Sequence, residues 1–287
     1  MADATRTMPL MGGTVEVVMY GVEEPLANDY FEELHTEARR LQHIFDFFNP
    51  SSELSLLNKN RRMRVSDEMA SILRKALEYS NETRGAYDIS IGKQIMARKQ
   101  GKSLPKISCS FRNILLEGNR VTLNHPDVLI DLGSIAKGYV GDRIIESMHE
   151  IGIESGFVDA RGDMRTYGGR EEVVRIQHPR DKNRTLNPIV VQDMAVATSG
   201  DYNQYYGSFD KSHIIGDTDF ISATVVSEQL VDADALASCV FLLGTTKAGK
   251  FLEGHKDTKV FAIDKALDQH IYNDFQSLHF GGVECGV

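Results

Sequence analysis

The chain has 287 residues, 41% of them apolar and 25% charged, and its 32 basic and 41 acidic side chains leave a net charge of −9. That balance argues against a nucleic-acid binder working through a basic face, yet admits a small anion held by peptide N–H groups and a metal. No stretch approaches a transmembrane length, and Met1-Ala2-Asp3-Ala4-Thr5 shows neither an apolar leader core nor a Cys beside it, so the expected location is cytoplasmic.

In chain order, Val15, Val17 and Met19 alternate with polar or smaller neighbours and predict a strand over 14–20. Phe31, Leu34, Ala38, Leu41, Phe45 and Phe48 form one apolar stripe and predict a helix over 26–48, ended by Pro50. A short helix capped by Ser51 or Ser52 follows, then an amphipathic helix over 67–79, a glycine-bounded loop over 85–92 and a helix over 93–99. The polar stretch 101–112 marks a lobe boundary within one domain spanning 1–287, and 113–116 with 120–123 predicts a hairpin. Val128 to Asp131 reads as a strand that delivers Gly133 and Ser134 onto a helix over 135–152, with Ser134 as its N-cap. Strands are expected at 156–158, 172–176, 195–202, 212–215, 221–226, 259–263 and 269–272, and helices over 232–243 and 246–253. Mixed blocks of helix and strand favour an α+β fold with a mainly antiparallel sheet and flanking helices. Cys109, Cys239 and Cys285 lie too far apart for a disulfide framework or a paired metal site.

Four places could carry chemistry. The turn before residue 135 points free N–H groups and a helix dipole at an anion, although an ordinary strand-to-helix connection looks the same. Asp131 could orient that turn by accepting its N–H groups. Asp234 and Ser238, one helical turn apart, both offer oxygen to a hard cation such as Mg²⁺; Asp234 serves equally as a helix cap. His213 precedes two isoleucines, the setting of a half-buried structural histidine, but its titration range suits proton removal from a hydroxyl. Phe48 and Tyr87 are aromatics that either pack in the core or stack on a planar ring. Thr198-Ser199-Gly200-Asp201 reads as a plain polar loop at a strand end.

These stretches, in this order, resemble the ApbE family of FAD:protein FMN transferases. The resemblance runs from about Met11 to Gly244. It rests on Met11-Gly12-Gly13-Thr14 (one glycine more than the family's Met-Gly-Thr) and on Pro50-Ser51-Ser52-Glu53 with Asn58. Gly85 to Gly92, Asp131 to Tyr139 (Ser134 for a second Gly), Ala197 to Tyr202 and Ala233 to Ser238 (Ser for Thr) complete it. Two places depart. The stretch after His213 lacks the family's Pro and final Gly, and Gly-Gly-Asp reads Arg161-Gly162-Asp163. Arg161 could add charge near a phosphate or form a salt bridge.

The resemblance implies a T-fold-like α+β structure with two lobes around a central FAD cleft. It implies Mg²⁺-dependent transfer of FMN from FAD to a Thr or Ser hydroxyl of an acceptor flavoprotein, leaving a phosphoester and AMP. His213 would be the base and Asp234 catalytic. Ala136 (through its carbonyl), Asp234 and Ser238 would hold Mg²⁺. Met11, Phe48, Ala86, Tyr87, Asp88, Gly133, Ser134, Tyr139 and Ile215 would bind FAD, with peptide N–H groups over 133–136 on its phosphates. The rival expectations are a FAD pyrophosphatase and a FAD-binding protein without transferase activity.

Overall fold

The computed structural model describes residues 3–202, 205–206, 208–212 and 214–278. The chain opens on a hairpin of β1 (Ala4–Leu10) and β2 (Gly13–Met19), then α1 (Glu24–Phe45), α2 (Glu53–Asn60), β3 (Arg62–Arg64), α3 (Asp67–Glu82) and α4 (Gly92–Lys99). The hairpin β4 (Ile114–Glu117) and β5 (Arg120–Leu123) precedes α5 (Ala136–Glu150), β6 (Gly156–Asp159), β7 (Met164–Tyr167), β8 (Glu171–Val174), β9 (Ile189–Gln192) and β10 (Ala195–Gly200). The last elements are β11 (Tyr205–Tyr206), β12 (Ser208–Ser212), β13 (Phe220–Ser227), α6 (Leu230–Leu252), β14 (Lys259–Asp264) and β15 (Gln269–Tyr272).

Eight strands form one sheet in the order β1-β2-β6-β7-β10-β13-β14-β15, antiparallel at every pairing. Helices α1, α5 and α6 lie side by side over one face. The buried stripe of α1 (Phe31, Leu34, Ala38, Leu41) supplies much of that core, and each large apolar side chain there contributes about 1.5–3 kcal/mol. Val196, Ile221, Val226 and Phe261 face the other way, into a second cluster closed by Val174 of β8 and Ile189 of β9.

Several elements differ from the sequence-based expectation. Helix α1 stops at Phe45 because the Asp46 carboxylate accepts the N–H groups of Phe48 and Asn49, at 2.9 and 3.2 Å, and turns the chain. Residues 128–131 are not a strand of the sheet. Leu129 makes a lone parallel bridge to Ile91, and Asn58 takes the place of a neighbouring strand by bonding both the N–H and the carbonyl of Ile130 (2.7 and 2.9 Å). The two expected C-terminal helices are both present as the two halves of α6, separated where they were expected to part, at the non-helical Gly244 with φ of 65°. By length and composition α6 is apolar enough to cross a membrane, contrary to the reading that no stretch approaches that length, and 61% of its most apolar window is buried within the fold.

Asp219 holds the α6 kink by accepting the Thr245 N–H at 2.8 Å and the Thr245 hydroxyl. Burial works to raise the Asp219 carboxyl, but the Thr245 hydrogen bonds outweigh it and leave it below its ordinary value. A carboxyl lowered on folding stabilises the fold above its unfolded pKa of about 4, and that contribution is lost as pH falls through the folded value. Asp219→Asn should therefore lower the melting temperature at neutral pH, with the gap to the unaltered chain narrowing below about pH 4.

Candidate active site

The centre of the site is the junction of α5 with α6, and two glycines permit it. A Cβ on Gly138 would lie 2.4 Å from the Leu230 carbonyl oxygen, and one on Gly141 2.6 Å from a Leu230 methyl. The helices meet at backbone contact there. Asp142 of α5 then caps α6 from outside, accepting the N–H groups of Leu230 and Val231 at 2.9 and 2.8 Å while Arg165 donates to it at 2.5 Å. Burial pushes the Asp142 carboxyl up against these donors.

This packing places Asp234, which is buried, against α5, where its Oδ2 accepts the Gly138 N–H at 3.1 Å. Its Oδ1 is 3.6 Å from the Lys137 ammonium. Lys137 also donates to the buried carboxylate of Asp163 at the start of β7. The ammonium thus stands between two buried carboxylates, which neither could tolerate alone. On the far side, the hydroxyls of Ser238 and Ser199 are 3.0 Å apart.

The turn from Asp131 to Ile135 borders the same space. Asp131 Oδ1 accepts the Gly133 N–H at 3.0 Å. Burial raises the Asp131 carboxyl, and this hydrogen bond pulls against the shift. Ser134 does not cap α5, whose N-cap is Ile135. The Ser134 hydroxyl instead donates to the phenol oxygen of the buried Tyr87 at 3.0 Å. The N–H groups of Ile135 and Ala136 both bond the Leu132 carbonyl. With Gly133 N–H on Asp131, most of the peptide donors expected to face an anion are already committed inside the chain.

A cavity of about 520 Å³ opens between these elements, a size in the range of small-molecule sites. Met11, Ala86, Tyr87, Asp88, Gly133, Ser134 and Ile215 line it, as do Asp234 and Ser238. Ala136 lies buried in the first turn of α5, beneath the lining. Asp88 accepts the N–H groups of Ser90 and Phe111 at 2.8 and 3.0 Å and shapes its loop. Two expected FAD contacts are not brought to the cavity wall. Tyr139 points the other way from α5, edge-on to Phe45 with ring centroids 5.3 Å apart, and Phe48 is 59% exposed outside it. The Lys99 ammonium, which does line the cavity, sits 4.3 Å over the Phe48 ring. His213 lies outside the described residues. Sequence reading left Lys137 without a settled role and assigned none at the cavity to Asp163, Thr198 or Ser199. Thr198, Ser199 and Gly200 are the end of β10, within the strand expected over 195–202, and their hydroxyl run was the available signal.

Among the described residues no three His, Cys, Asp or Glu side chains converge as a metal cage. The donors that do meet at the cavity, a carboxylate at Asp234 and hydroxyls at Ser238 and Ser199, are all hard oxygen. That set fits a Mg²⁺ ion, which takes one or two carboxylates and keeps places for water and phosphate.

Sheet, paired helices and cavity together define an α+β enzyme built around one oxygen-lined cleft. The model of the ApbE family matches residues 11–262, and the chain belongs to that family. Among its curated relatives, the FAD:protein FMN transferase of Vibrio cholerae serotype O1 is 26% identical over 86% of this chain and 84% of its own length. The protein of the same name from Escherichia coli K12 is 24% identical over 86% and 80%. In structure the chain is similar to the flavin transferase ApbE of Vibrio cholerae (TM-score 0.84, 22% identity, covering 96% of this chain and 99% of that one). It is equally similar to the ApbE protein of Thermotoga maritima (TM-score 0.84, 22% identity, 97% and 100%).

Proposed function

We propose that this chain transfers the FMN moiety of FAD to a Thr or Ser hydroxyl of an acceptor flavoprotein, forming a phosphoester and releasing AMP. The observation that carries the reading is the meeting of Asp234, Ser238 and the Lys137–Asp163 pair at one cavity in a member of this family.

Phosphoryl transfer depends mainly on positioning and charge stabilisation. Asp234, Ser238 and the Ala136 carbonyl would hold Mg²⁺, which when bound neutralises charge on the pyrophosphate oxygens. Lys137 holds Asp163 and Asp234 at a fixed spacing. Tyr87, Ile91 and Ile95 give the cavity an apolar wall suited to a planar ring system. His213 is assigned as the base that takes the acceptor's hydroxyl proton, which an imidazole near neutral pH is able to do.

The test pairs the chain with FAD, Mg²⁺ and an acceptor, and follows fluorescence of flavin that stays with the acceptor after denaturation. Chelation should abolish labelling and restored Mg²⁺ should return it. Undiminished labelling under chelation would refute the metal assignment, and AMP release that needs no acceptor would replace transfer with hydrolysis.

A further inference from the structure

The cavity holds three cations, and their surroundings differ. Lys137 is held by Asp163 and Asp234. Lys99 lies over the Phe48 ring, and its charge reaches the Asp131 carboxylate. Arg161 lines the cavity and is exposed, and among the described residues it makes no ion pair. Its Nη1 donates only to the Met11 carbonyl, at 3.0 Å.

Arg161 is held in place at some cost. It occupies the β6–β7 turn with φ of 65°, the left-handed region that a side chain with a Cβ disfavours. The turn is fixed by Gly162 N–H on Asp159 Oδ1 at 2.6 Å and by Ala160 N–H on the Asp163 carbonyl at 2.7 Å. From there the side chain crosses to the start of β2, where a Cβ on Gly13 would meet Arg161 Nε at 2.6 Å and Cδ at 2.8 Å. Gly13 belongs to the Met11-Gly12-Gly13-Thr14 stretch, which has one glycine more than the motif, and Arg161 stands where the motif has glycine. The two places touch: one supplies a guanidinium and the other the room for it. Meanwhile the peptide N–H groups of Gly133, Ile135 and Ala136 are committed internally, so an anionic ligand needs further donors.

We infer that Arg161, seated in the groove left by Gly13, is a phosphate-binding residue that contacts the diphosphate of the dinucleotide substrate. This rests on the FAD reading above. A guanidinium matches a phosphate with paired donors. Arg161 is two residues from Asp163, which Lys137 holds beside Asp234, and it lines the same cavity as all three. The guanidinium and the diphosphate thus meet, and the ring system is left to the apolar wall.

The test measures binding of FAD, ADP and riboflavin to the full chain with chelator present, so that no turnover intervenes. Arg161→Gln and Arg161→Gly should weaken FAD and ADP about tenfold or more, flatten the salt dependence of both, and leave riboflavin within about twofold. Arg161→Lys should retain part of the affinity. Gly13→Ala keeps the charge and displaces the side chain, and should weaken FAD and ADP without lowering the melting temperature. Arg161→Gly should raise the melting temperature while binding falls, a split that a merely structural role would not produce. Equal losses for riboflavin and FAD, or unchanged FAD affinity, would overturn the inference. Failure of the unaltered chain to bind FAD would overturn the site reading itself.

Discussion

Asp234→Asn should reduce FMN transfer by about a thousandfold or more while the chain stays folded. The amide oxygen can still accept the Gly138 N–H that Asp234 Oδ2 accepts at 3.1 Å, and the side chain keeps its volume in a buried site. The charge is removed, and with it the carboxylate that lines the cavity with Ser238 and stands 3.6 Å from the Lys137 ammonium. Single-turnover rates at saturating FAD, read beside melting curves, check this. A variant that melts normally and transfers FMN within tenfold of the original rate would remove Asp234 from the metal site.

Gly138→Ala should destabilise the fold by about 3 kcal/mol, the upper part of the range for overpacking. A new Cβ would sit 2.4 Å from the Leu230 carbonyl oxygen and 2.7 Å from the Val231 Cα. Both are backbone atoms at the start of α6, so relief requires the helices to separate. Separation would also lengthen Gly138 N–H to Asp234 and loosen the Asp142 cap on Leu230 and Val231. Denaturant titration should show a lower midpoint with unchanged slope. By contrast, a Cβ on Gly133 would come only to 3.1 Å from an Asp131 carboxylate oxygen, so Gly133→Ala should be much milder.

What the sequence made legible follows from the range of the forces involved. The stripe of α1 and the alternation of β2 are local patterns, and both elements appear where their periodicity puts them. β1 escaped notice because Ala4–Leu10 is half polar and gains its order from pairing with β2 across a two-residue turn. Residues 128–131 looked like a strand because they are apolar, yet they pair only with the loop around Ile91 on one side and with a side chain, Asn58, from 72 residues earlier on the other. No local pattern encodes that. The motifs brought Asp234, Ser238, Tyr87 and Ser134 to attention, and the structure gathers them at one cavity. Tyr139 was carried along as a neighbour on the motif, but helical rotation turns it from the cavity toward Phe45. Phe48 extended a stripe whose helix had ended at Phe45. Lys137 gained a role that its sequence neighbours could not reveal, because Asp163 and Asp234 reach it only through the tertiary fold.

The central claim is that FAD is cleaved by transfer to a protein hydroxyl. The direct measurement counts AMP released and FMN bound per acceptor in the same reaction, with the modified residue located by mass spectrometry. One AMP for each FMN on a single Ser or Thr, with the phosphate retained in the added mass, is the predicted result. AMP in excess of bound FMN, or release at the same rate with that Ser or Thr changed to Ala, would contradict it.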